Sequence, residues 1–136
     1  MRDELTRRCH AIEECYEFML AYAAQGVSGA PGSQTGGQVR EYLTRADTAL
    51  TGLADIFRTL VVDAKVDSAD AYETFIQMLE RDAGDAQAAL RLALAQPAIS
   101  SQLVDNLNAS IHVRTLLTDL FLIDEILKQR IAEASR

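Results

Sequence analysis

The sequence predicts an all-α fold: a four-helix bundle in up-down-up-down antiparallel order with a long C-terminal helix. Three observations carry this. Val39, Leu43, Ala46, Leu50, Leu53, Phe57, Leu60 and Ala64 recur at alternating steps of four and three. Tyr72, Ile76, Leu79, Ala83, Ala86, Leu90 and Ala93 do the same. That rhythm is the seam of one helix laid along another. Composition agrees: alanine and leucine abound, there is no tryptophan, and the two prolines stand at Pro31 and Pro97. Finally, the connections after the second and third predicted helices are short, which forces antiparallel neighbours.

The first helix is expected over 2–24, with Leu5, Cys9, Ile12, Tyr16, Met19 and Ala23 as its seam. Asp3 and Glu4 in its first turn complement the helix dipole, and Gly26 supplies a stop. The stretch 26–37 holds five of the seven glycines and has no apolar period, so it reads as a flexible loop. Thr35 and Gln38 form a capping-box pattern that opens a second helix over 38–64. Asp67 or Ser68 caps a third helix over 68–95, whose seam keeps phase across Gly84. The fourth is expected over 98–132, starting beside Pro97. Its first half carries Asp105, Asn106, Asn108, Ser110 and His112 among Ile99, Leu103, Leu107 and Ile111. Its second half, 116–127, is apolar over most of its circumference.

At 136 residues the chain forms one domain and buries roughly two-thirds of its unfolded surface, so it needs no metal or disulfide to hold it. The formal charge of −7 argues against a nucleic-acid partner, which would require clustered cations. Cys9 and Cys15, six residues apart, point about 240° from one another on a helix, so a disulfide between them is not expected. Two reduced cysteines suit a cytoplasmic protein. The N-terminus has no apolar signal-peptide core. The apolar run 116–127 is too short to span a bilayer and contains Asp119, Asp124 and Glu125.

Few residues offer chemistry. Cys9, His10, Glu13 and Glu14 are competent metal ligands at helical spacing, but a solvated acidic face with Cys9 on the apolar seam is the commoner arrangement and the expected one. Neither histidine has a glutamate three residues before it, so a di-iron bundle is not expected. There is no Cys-x-x-Cys for zinc or covalent haem. The stretch around His112 lacks the acidic residue and the proline of the sensor-kinase histidine box, so phosphotransfer is not expected. A P-loop is excluded because the glycine-rich segment has neither a preceding strand nor a lysine. Asp105, Asn106, Asn108, Ser110 and Asp124 form a polar belt on the fourth helix, with Asn106 and Ser110 near the seam; it fixes register or, as the less common case, lines a ligand pocket, for which Asn106, Ser110 and His112 are the candidates. Asp124 also falls near the seam.

The expectation is therefore a non-catalytic protein that works by association, with no cofactor, nucleic acid or membrane. Leu116, Leu120, Phe121, Leu122, Ile123 and Leu127 exceed what one buried stripe needs, and a homodimer or a protein partner would cover them. The alternative is a metal- or ligand-binding bundle using the first-helix cluster or the polar belt. A secretion or assembly chaperone is a third reading, by analogy of fold and charge alone.

Overall fold

The computed structural model describes residues 1–134. Among them every regular element is a helix: α1 (Arg2–Ala23), α2 (Gln34–Leu50), α3 (Leu53–Ala64), α4 (Ala69–Leu94), α5 (Ser101–Ala109) and α6 (His112–Ala134). Six helices replace the four expected, because two of the long ones are broken.

The first break lies at Thr51-Gly52. Thr51 is extended and Gly52 adopts φ +74°, a left-handed turn that glycine enters without steric cost. The second lies at Ser110-Ile111. Ser110 Oγ donates to the Leu107 carbonyl at 2.6 Å, and Ile111 takes φ +60° before α6 begins. The expected helix over 38–64 thus becomes α2 and α3, and the one over 98–132 becomes α5 and α6. By contrast, α4 runs unbroken through Gly84.

The seams decide the core. Val39, Leu43, Ala46, Leu50, Leu53, Phe57 and Leu60 are all buried, in phase on both sides of the Gly52 break. So are Ile76, Leu79, Ala83, Ala86, Leu90 and Ala93 of α4. In α1 the buried positions are Leu5, Ile12 and Met19, together with Cys15 and Tyr22. Cys9, Tyr16 and Ala23 are only partly buried, so one line of the expected seam is offset by one residue. Each fully buried leucine or phenylalanine contributes about 2 kcal/mol of transfer free energy. These residues form one hydrophobic cluster with Ile99, Val104, Val113 and the inner face of α6. The most extensive packing is α1 on α2, followed by α6 on α4 and α5 on α1; α4 also packs on α2 and α3.

Polar contacts lock the helix ends. Arg8 of α1 donates to the carbonyls of Ala49 (3.3 Å) and Thr51, satisfying acceptors that the end of α2 leaves open. Glu4 holds Arg8 in place at 2.9 Å. Its carboxyl sits below the usual range because Arg8, and then Arg7, hydrogen-bond to it. Arg40 of α2 repeats the device at the end of α4, donating to Leu94 O (2.9 Å) and Gln96 O. Arg58 of α3 bridges Glu73 and Glu80 of α4 as well as Asp55.

The stretch expected to be a free loop is shorter and is tied down. Its last residues, Gln34 to Gly37, belong to α2. Ser33, rather than the Thr35–Gln38 pattern, caps that helix by accepting from Gly36 N at 3.0 Å. Upstream, Val27 N donates to Ser101 Oγ (3.0 Å), Ser101 N to Val27 O (2.9 Å), and Ser101 Oγ to Tyr22 O (2.7 Å). Tyr22 Oη donates to Ile99 O at 2.6 Å. Gly29 fits against this knot because it has no side chain: a Cβ there would lie 1.9 Å from Ile99 O.

Candidate functional site

The helix α6 carries the expected interface, and the structure divides it. Leu116, Leu120, Ile123 and Leu127 are buried in the protein's own core, as is Leu117. The reason is geometric. α6 packs against α4, α3 and α1 together, so its wide apolar surface is covered from several sides within one chain. Only Phe121 (55% exposed) and Leu122 (53%) remain outside.

These two neighbours sit at separate grooves. Leu122 joins Ile123 and Ile126 of α6 and Ala71, Tyr72 and Phe75 of α4 around an almost wholly apolar cavity of about 260 Å³. Phe121 lies in a groove of about 270 Å³ between α6 and α1, with Leu117, Thr118 and Arg114 on one side and Glu13, Tyr16 and Glu17 on the other. Other large apolar side chains are also exposed, notably Val62 and Leu92, but singly on outer faces. Isolated exposures of that kind are ordinary on a protein surface.

The polar belt is not assembled. Asn106 and His112 are exposed, and Ser110 is spent on the turn between α5 and α6. Asn108 of the same belt reaches α1 by donating Nδ2 to Met19 O at 3.2 Å, while its Oδ1 is buried without a partner. Asp124 is partly buried and pairs with Arg2 (2.9 Å) and Lys128 (3.1 Å), tying α6 to the start of α1.

The first-helix cluster does not converge either. Among the described residues, no three His, Cys, Asp or Glu side chains gather where they would hold a metal ion. His10 and Glu14 face solvent, whereas Cys9 turns partly inward. Burial pushes the Cys9 thiol up to about 11 and that of Cys15 to about 12, so both are free thiols of low reactivity.

One titratable group was missed from the sequence. Asp119 is only 7% exposed, and its Oδ2 has no hydrogen-bond partner. It faces Asp82 of α4. Burial first, then the hydrogen bond and negative charge of Asp82, push the Asp119 carboxyl up to about 7. A second negative charge beside Asp82 in this buried position is costly, so the Asp119 carboxyl holds its proton more tightly. The signal was an acidic residue on the apolar side of the helix, three residues before Leu122. A carboxylic acid that titrates near neutrality is competent for proton transfer. Here, however, neither Asp82 nor Asp119 lines the cavity beside Phe75 and Leu122, and the two histidines are exposed.

No described helix is long and apolar enough to cross a membrane. Compared with known proteins, the chain matches no protein family, no curated protein and no solved structure.

Proposed function

We propose that this is a non-catalytic, cytoplasmic association protein that forms a homodimer through α6. In this reading α2–α3 and α5–α6 each serve as one column, so that six helices act as four antiparallel columns of a bundle. The observation that carries it is the adjacent exposed pair Phe121 and Leu122, each at the mouth of a groove. Burying the exposed half of two such side chains contributes about 2–3 kcal/mol before the cost of association. Light scattering behind a sizing column tests the reading. The wild type is expected to elute as a dimer, and Phe121→Asp as a folded monomer. A wild type that stays monomeric at high concentration overturns it.

A ligand-binding bundle is the second reading. The cavity lined by Ala71, Tyr72, Phe75, Leu122, Ile123 and Ile126 favours it, in place of the first-helix cluster. Its apolar lining suits a small hydrophobic molecule. A co-purifying ligand in native mass spectra would support this reading over the first.

A further inference from the structure

The groove holding Phe121 carries both signs of charge. On α1, Glu13, Tyr16, Glu17 and Leu20 stand at steps of three and four and share one face. On α6, Arg114, Thr118 and Phe121 do the same. The two rows meet along the groove. The helices run in opposite senses: Arg2 near the start of α1 meets Asp124 late in α6, and Glu13 to Glu17 further along α1 meet Arg114 to Phe121 earlier in α6. Among the described residues, Glu13, Glu17 and Arg114 have no ion-pair partner within the chain. A groove lined by Tyr16 and Phe121, with carboxylates on one bank and a guanidinium on the other, is complementary to itself.

We infer that this face binds a second copy of the chain about a two-fold axis running along the groove. Such an axis lays α6 of one copy over α1 of the other. It sets the Arg114 bank of α6 against the second copy's Glu13 and Glu17 bank and covers Phe121, and symmetry repeats the contact. A two-fold axis across the groove would instead stack glutamate on glutamate. A purely basic partner would satisfy Glu13 and Glu17 but would set Arg114 against like charge. Self-association is thus the occupant that leaves none of the three charges opposed. The inference rests on the reading of the protein as a dimer through α6, and it specifies which face does the work.

Sedimentation equilibrium of the full chain tests the arrangement, with far-UV circular dichroism to verify folding of each variant. The substituted side chains are exposed or only partly buried, so the fold is expected to persist. Arg114→Glu alone, and Glu13→Arg with Glu17→Arg, should each raise the dimer dissociation constant by about tenfold or more, since each change turns symmetric attractions into repulsions. Combining all three should restore it to within about threefold, because swapped charges pair again. If the dimer ignores the charge changes yet dissociates on Phe121→Asp, association through α6 stands and this arrangement falls. If Arg114→Glu tightens association, Arg114 does not meet the second copy's carboxylates and the inference is overturned. A monomeric wild type overturns both the inference and the dimer reading.

Discussion

Replacing Asp119 by asparagine should make the protein more stable at neutral and alkaline pH. In the folded chain, burial and Asp82 raise the Asp119 carboxyl from 3.8 to about 7. Between those two pH values the folded protein keeps a proton that the unfolded chain has released. Stability therefore falls as pH rises through that window, by up to about 1.4 kcal/mol per pH unit, and the loss is complete above the folded value. Across the whole window the ceiling is roughly 4 kcal/mol. Asp82 is only partly buried, so water screens its side of the pair, and about 2 kcal/mol is the expected size. Asparagine keeps the shape and an N–H donor toward Asp82 but cannot ionise. Urea unfolding followed by circular dichroism, in steps from about pH 4 to pH 8.5, measures the difference. The two proteins should be nearly equal at the acid end. The gap should open in favour of Asp119→Asn toward pH 7 and hold constant above it. A pH-independent gap, or a wild type that is the more stable protein at pH 8, would refute the raised Asp119 carboxyl.

Three further outcomes follow from local geometry. Gly29→Ala combines a left-handed backbone (φ +60°) with a Cβ driven into Ile99 O. It should cost about 3 kcal/mol in chemical denaturation, whereas Gly37→Ala, with open space around it, should cost nothing or stabilise. Ile111→Gly relieves a β-branched residue held at φ +60° in an exposed turn and should raise stability by about 1 kcal/mol. Cys9 and Cys15, with thiols raised to about 11 and about 12, should react with Ellman's reagent at pH 8 about a hundredfold more slowly in the native protein than after denaturation. A fast-reacting native thiol would contradict their burial.

Periodicity read burial well and chain continuity poorly, for a physical reason. The step from Leu50 to Leu53 keeps the phase of the seam, so the same pattern fits one helix or two helices joined at Gly52. Hydrophobic spacing records which side chains face the core, not whether the backbone ladder is intact between them. In α1, two lines of residues at spacing seven lie one position apart, Cys9-Tyr16-Ala23 and Cys15-Tyr22. Tertiary contacts chose the second, where the Tyr22 hydroxyl finds Ile99 O. The same limit explains α6. An apolar surface wider than one stripe signals either a second copy or burial on several sides, and only the packing of α3, α4 and α1 around it separates them. The Asp119–Asp82 pair was illegible because it depends on which residue of α4 lies opposite. No spacing within α6 encodes that.

The knot that joins Tyr22, Val27, Ile99 and Ser101 changes what the glycine-rich connection means for the life of the molecule. Its composition advertises a cut site, since proteases need a segment they can draw out and extend. Here two hydrogen bonds between Val27 and Ser101, one to the Ser101 hydroxyl and one from its amide, and a close fit at Gly29 fasten that segment to the start of α5. Freeing enough of it to enter a protease cleft means detaching the α4–α5 junction and exposing Tyr22, which sits in the main core. Nicking at this connection is then governed by large-scale opening, not by loop motion, and its rate becomes a gauge of the stability of the whole chain.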